Sequence, residues 1–138
     1  MKKIALFPLV LVASCAPFSK RINSQVDLDR GQHIVDKFYG YVKAGNFSDA
    51  SALCGADAAP KDAEALLQKM NGDWGSVQET SFVDGKSDVT EKDHHINGEI
   101  DLNYSATYDH SSNNEDFVLK FVGDSLKIAG YHSKVKDK

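Results

Sequence analysis

The first half of the chain carries apolar residues at the spacing of helices. Between residues 26 and 44 they recur every three or four positions, which places them on one face of a long amphipathic helix. That face consists of Ile34, Val35, Phe38, Tyr39, Tyr41 and Val42. Two shorter helices are predicted over 46–53 and 61–70, the second with Pro60 at its first turn and Asn71-Gly72 at its end.

In the second half the apolar residues alternate with polar ones, as they do in strands. The clearest strand is 99–108, followed by strands at 115–122 and 126–135. Gly123-Asp124 lies between the last two and predicts a two-residue hairpin turn. One face of the resulting sheet is apolar, and its expected members are Ile100, Leu102, Tyr104, Ala106, Tyr108, Phe117, Leu119, Phe121, Leu126 and Ile128.

The hairpin turn also predicts which residues face each other across the last two strands. Counting outward from it gives the pairs Phe121–Leu126, Leu119–Ile128, Phe117–Gly130 and Glu115–His132, with Lys120 opposite Lys127 on the other face. The apolar partners fall on one face, which supports this register.

The segment from Val77 to Asn97 has a weaker pattern. Asp84-Gly85 predicts either a hairpin or a bulge. Asn97-Gly98 also suggests a hairpin, but a tight turn there would put charged residues on the apolar face. We therefore expect a looser connection over 93–98.

Helices followed by an antiparallel meander define an α+β domain. We expect N-terminal helices packed on a curved antiparallel sheet of about four strands, with residues 26–138 forming a single domain. The composition fits one soluble globular domain, since 41% of the 138 residues are hydrophobic and 26% are charged. The net charge of −4 argues against a nucleic-acid partner, which requires a concentrated basic face.

Residues 1–14 have the pattern of a secretory signal peptide. Lys2 and Lys3 precede an apolar run over 4–12, which is too short for a membrane span of about 20 residues. The sequence that follows, Val12-Ala13-Ser14-Cys15, resembles the bacterial lipobox. An ordinary signal peptide with a chance cysteine is the alternative.

The lipobox resemblance implies that Cys15 carries the lipid anchor and begins the mature chain. Ala16 in the next position implies retention at the outer membrane, so the expected location is the cell envelope, on the periplasmic face of that membrane. Residues 15–25 would then be the lipidated cysteine and its tether, and Lys20 and Arg21 could rest on anionic headgroups. Cys54 would have no partner cysteine, and we expect a buried, inert thiol rather than a reactive one.

Two segments resemble cystatin-like, nuclear-transport-factor-2-like domains. The first is Phe38-Tyr39-Gly40-Tyr41-Val42-Lys43-Ala44-Gly45-Asn46-Phe47, a helix followed by Gly-Asn-aromatic, and the second is the hairpin from Glu115 to Tyr131. The resemblance implies a pocket between the long helix and the concave face of the sheet, where enzymes of that superfamily work. Small bacterial lipoproteins share this layout.

The expected apolar face holds no carboxylate, whereas isomerases and dehydratases of this kind need an acid–base pair. We therefore expect no catalytic residues, no cofactor and no enzymatic activity. Candidate pocket or rim residues are Tyr104, Tyr108, His132 and Glu115, the last two as an ion pair at the rim. His94-His95 does not predict a metal site, because neighbouring strand residues point to opposite faces.

These observations favour a membrane-anchored envelope lipoprotein whose domain binds another envelope protein or serves as an accessory subunit. The alternative is a small-molecule binder or enzyme that uses the concave pocket between the helix and the sheet.

Overall fold

The computed structural model describes residues 17–56 and 63–137. They form an α+β domain with three helices packed on a five-stranded antiparallel sheet, whose strands follow one another in chain order. The helices are α1 (Gln25–Lys43), α2 (Phe47–Ala52) and α3 (Ala63–Trp74); the strands are β1 (Phe18–Ile22), β2 (Val77–Lys92), β3 (His95–Tyr108), β4 (Ser112–Val122) and β5 (Ser125–Val135). The predicted fold class is confirmed, but the sheet has one strand more than expected.

Several predicted features lie outside the described residues. These are the signal peptide at 1–14, Cys15 with its lipobox, and the start of the third helix at Pro60. Of the predicted tether at 15–25, residues 18–22 form β1 instead, which pairs antiparallel with β2.

Helix α1 lies across the face of the sheet that we call the inner face, and it confirms the predicted helix to within one residue at each end. Gly31 is buried where α1 crosses β3. A Cβ at this position would lie 3.0 Å from side-chain atoms of both Ile100 and Leu102. Glycine therefore lowers the helix propensity of α1 but lets the helix approach the sheet closely.

The predicted end of α3 at Asn71-Gly72 is wrong. The helix continues to Trp74, whose ring centroid lies 5.3 Å from that of Tyr108 on β3. The residue after the helix is Gly75, which has a φ of +80° and whose amide donates to the Asn71 carbonyl oxygen. The added turn places an aromatic side chain against the core, which offsets the low helix propensity of Gly72.

Strand β2 is long and continuous because Asp84-Gly85 belongs to a bulge rather than a hairpin. The register with β3 shifts between Phe82 and Asp84, which leaves Val83 as the extra residue.

The predicted loose connection over 93–98 is wrong. Asp93 and His94 have φ values of 52° and 63° and form a two-residue turn, so that Lys92 pairs with His95.

The β4–β5 hairpin begins in the predicted register and then departs from it. Phe121–Leu126, Leu119–Ile128 and Lys120–Lys127 pair as expected. Between Val118 and Leu119 the register shifts, because Ala129 is an extra residue in β5. Phe117 therefore faces Tyr131, and Glu115 faces Ser133. The predicted pairs Phe117–Gly130 and Glu115–His132 are wrong, because a bulge moves every later side chain of one strand by one position.

The core lies between α1 and the inner face, and Phe117 is at its centre. Its side chain is fully buried, and its ring centroid lies between 5.0 and 5.8 Å from those of four other aromatic rings. These rings belong to Phe38, Tyr39, Tyr104 and Tyr131. Edge-on and tilted aromatic packing of this kind stabilises a core beyond the area that it buries.

Candidate functional site

The inner face contains a buried carboxylate at its centre. Glu115 on β4 is fully buried, and its two oxygens accept hydrogen bonds from three hydroxyl groups. Tyr39 of α1 donates to Oε2 at 2.5 Å, Tyr108 of β3 donates to Oε1 at 2.6 Å, and Ser133 of β5 donates to Oε1 at 3.0 Å. One side chain thus joins α1 to three strands.

Burial and the charge of Glu115 act on the tyrosines in the same direction. The pKa values of Tyr39, Tyr108 and Tyr131 are raised, first by desolvation and then by the nearby carboxylate. None of the ion pairs within the described residues includes Glu115. The charge is therefore stabilised by neutral hydroxyl donors rather than by a cation.

This cluster corrects the expectation that the inner face carries no carboxylate. Glu115 precedes Phe117 by two positions and Leu119 by four, so the strand period alone places all three on one face. The strand period thus indicates an inward Glu115, whereas the predicted register pairs Glu115 with His132 and predicts an ion pair at the rim. In the structure His132 is exposed and faces Asp116 instead, so the predicted rim ion pair does not form.

The other two candidate residues lie in the core. Tyr104 and Tyr108 are 3% and 6% exposed. The hydroxyl of Tyr108 is held by Glu115, whereas the buried hydroxyl of Tyr104 has no hydrogen-bond partner among the described residues. Burial raises the pKa of Tyr104, and the negative charge of Asp36 on α1 adds to this effect.

The geometry around Glu115 limits its chemistry. A general base needs a free lone pair within reach of a substrate proton. Here both oxygens are hydrogen-bonded to hydroxyls of the protein itself, in a fully buried position. The arrangement is that of a satisfied buried polar network, which rigidifies a core and specifies how its elements pack.

Cavities open elsewhere on the domain. One of about 560 Å³ lies on the opposite, outer face of the sheet, and its lining includes Asp84, Asp101 and Asp116. Another of about 380 Å³ lies beside α1, where Ile34 and Leu126 line its wall. Neither is lined by Glu115, Tyr104 or Tyr108.

A second buried carboxylate ties β1 to the helix. Asp27 in the first turn of α1 is fully buried. The guanidinium of Arg21 donates to both of its oxygens, from Nε at 2.9 Å and from Nη2 at 3.1 Å, and also approaches Glu91 at 3.4 Å. The guanidinium of Arg21 is therefore held within the domain by two carboxylates.

The remaining candidates are Cys54 and the pair His94-His95. Cys54 is half-buried, and desolvation raises the pKa of its thiol more than the nearby Lys127 lowers it. His94 lies in the β2–β3 turn and His95 begins β3, both exposed. Over the two described ranges, no group of three or more His, Cys, Asp or Glu side chains is arranged to hold a metal ion.

The chain matches no known protein family, no curated protein and no solved structure. Within residues 17–56 and 63–137, no helix has the length and apolar character needed to cross a bilayer. The fold and the site together define an α+β domain whose inner face is occupied by its own helices and closed around a hydrogen-bonded carboxylate.

Proposed function

We propose that this protein is a lipid-anchored protein of the bacterial cell envelope, held by Cys15, whose domain binds another envelope protein and catalyses no reaction. The observation that carries the second half of this proposal is the state of Glu115. Its oxygens accept hydrogen bonds from Tyr39, Tyr108 and Ser133, so they are not free to act on a ligand. The first half rests on the lipobox resemblance.

The outer face of the sheet is the surface that we assign to the partner. Its exposed side chains include Asp84, Asn103 and Asp116, which border the cavity of about 560 Å³. Both signs of charge are present, since Lys86 pairs with Asp101 at 3.2 Å and Lys120 pairs with Glu99 at 3.5 Å. A mixed polar surface of this kind suits a partner that is held by complementary charges.

The anchor is tested by comparing the two cysteines of the chain. In cells supplied with radiolabelled palmitate, the wild type and Cys54→Ala should be labelled and should fractionate with membranes. Cys15→Ala should lose the label and leave the membrane fraction, because the acylated thiol is absent. An unlabelled wild type, or label that persists in Cys15→Ala, would contradict the anchor.

The binding role is tested by photo-crosslinking in intact cells. A photo-crosslinking amino acid at position 103, on the outer face, should give a discrete adduct with a second protein. The same amino acid at position 68, an exposed position on α3, serves as the control and should not. If neither position gives a protein adduct, the partner surface proposed here is wrong.

One observation favours the alternative of a small-molecule binder. The cavity of about 380 Å³ beside α1 is partly apolar, with Ile34 and Leu126 in its lining and His33 and Arg30 beside them. Native mass spectrometry of the protein purified from its own cells distinguishes the two functions. A bound small molecule that is lost in Leu126→Lys would favour the binder, and unliganded protein would favour the interaction domain.

A further inference from the structure

We propose that β1 lies on the membrane surface, with Phe18 and Ile22 inserted among the phospholipid headgroups and upper acyl chains. This inference rests on the proposed acylation of Cys15 and goes beyond it, since it gives the anchored domain a fixed orientation. It also assigns a role to an apolar surface that the fold leaves uncovered.

Phe18 and Ile22 are among the most exposed large apolar side chains of the described residues, at 65% and 56%. Neighbouring strand residues point to opposite faces, and Arg21 points inward to Asp27. Phe18 and Ile22, which lie three residues before and one residue after Arg21, therefore point to the outer face. Packing against the core therefore does not explain these two residues.

The length of the chain brings this surface to the membrane. Only Ala16 and Pro17 separate Cys15 from Phe18. Even a fully extended chain spans at most about 3.6 Å per residue, so Phe18 lies within roughly 11 Å of the acylated cysteine. The headgroup region of each leaflet is itself roughly 5–8 Å thick. An anchor this short holds β1 at the level where lipid headgroups meet water.

Basic side chains lie beside Phe18, the apolar residue nearest to Cys15, and suit an anionic lipid surface. Lys20 lies between Phe18 and Ile22 on the same face, and Lys92 faces Phe18 across the β1–β2 pair. Lys20 makes only a long contact of 3.6 Å with Asp88, and both side chains are more than half exposed. The acidic groups lie mainly toward Ile22, where Asp88, Glu99 and Asp101 line one surface recess with it, whereas Asp93 lies in the turn after Lys92. Long basic side chains beside apolar ones are typical of interfacial contacts.

β1 is also an edge strand, and a free edge can pair with a second copy of the chain. The short link to Cys15 favours the membrane as the occupant of the exposed side chains, because it fixes β1 close to the lipid in every copy. Pairing between copies is a separate outcome of the experiment below.

The experiment places the photo-crosslinking amino acid benzoylphenylalanine at position 18 or at position 135 of the full chain. Val135 is the matched control because it is 47% exposed and lies toward the other end of the sheet. Val135 pairs with Asn113 on β4, Asn113 pairs with Ala106 on β3, and Ala106 pairs with Thr80 on β2. Val135 therefore lies at the same level of the sheet as Thr80. Thr80 is twelve residues from Lys92 along β2, a distance of roughly 40 Å at about 3.3 Å per residue.

Cells are irradiated, and adducts are identified by mass spectrometry in protein that has also been checked for palmitate label. We expect phospholipid adducts at position 18 to exceed those at position 135 by about tenfold or more, as for a side chain buried in the headgroup boundary. Labelled protein with no lipid adduct at position 18, equal adducts at both positions, or adducts mainly to a second copy would each overturn the inference. Absence of palmitate label would instead overturn the proposed anchor.

Discussion

At the scale of single residues, Glu115 determines how the inner face is used. A buried carboxylate is costly unless its oxygens are hydrogen-bonded, and here three hydroxyls from three different elements satisfy them. Asn113 extends the network by donating to the Ser133 hydroxyl at 2.9 Å. A group that could have been a catalytic acid or base therefore acts as the central hydrogen-bond acceptor of the core.

Replacing Glu115 by glutamine tests this role. The amide keeps the volume of the side chain but puts an N–H group where a hydroxyl now donates, so we expect the free energy of unfolding in urea to fall by about 1–3 kcal/mol. The control is Glu99→Gln, which removes an exposed pair with Lys120 and should cost less than about 1 kcal/mol. Equal losses in the two variants would show that Glu115 is not a central acceptor.

The buried tyrosines predict a dependence on alkaline pH. The pKa values of Tyr39, Tyr104, Tyr108 and Tyr131 are raised in the folded protein above the ordinary value of about 10, chiefly by desolvation. The folded state thus holds these protons more tightly than the unfolded state. Their contribution to stability is complete below pH about 10 and is lost as the pH rises further.

Absorbance at 295 nm and circular dichroism measure this dependence together. The phenolate signal of the four tyrosines should increase only as the circular dichroism of the fold is lost. Titration of all five tyrosines near pH 10 in a chain that keeps its circular dichroism would contradict the burial described here.

At the scale of elements, β1 is the strand that the local sequence does not predict. The segment Phe18–Ile22 has two apolar residues alternating with polar and charged ones, next to a predicted tether, and too few residues to indicate a strand. Its place in the sheet depends on pairing with β2 and on the contact between Arg21 and Asp27, both of which join residues that no local pattern connects.

Arg21→Ala tests whether that contact holds β1 in place. It leaves the fully buried Asp27 without its cation, so we expect a loss of about 2–4 kcal/mol in the free energy of unfolding. Lys20→Ala is the neighbouring control. It removes only an exposed contact with Asp88 and should cost less than about 1 kcal/mol. Urea unfolding of both variants gives the comparison, and a loss at Arg21 no larger than at Lys20 would contradict the assigned role.

The elements that the sequence predicted well share a strong local period. α1 has six apolar residues on one face, and the Gly123-Asp124 turn sets the start of the β4–β5 register. The bulge at Ala129 carries no such signal, because alanine fits either face of a strand. Because of this one extra residue, Tyr131 and Ser133 lie on the inner face. The predicted register places them on the other face and so does not predict the cluster around Glu115.

At the scale of the whole molecule, we propose different roles for the two faces of the sheet. The helices cover the inner face, where aromatic rings surround Phe117 and hydroxyls surround Glu115. The outer face of the sheet remains for contacts, with a membrane surface proposed at β1 and a protein partner proposed near Asn103. This division depends on an inner face that is closed to water and to ligands.

The hydroxyl protons of Tyr39 and Tyr108 test that closure most directly. In proton NMR spectra at neutral pH we expect a resolved, slowly exchanging resonance for each, because both protons are held by Glu115 in a buried site. Tyr39→Phe and Tyr108→Phe should each remove one resonance and so assign it. Hydroxyl protons that exchange rapidly with water, together with magnetisation transfer from water to the side chains around Glu115, would contradict the account.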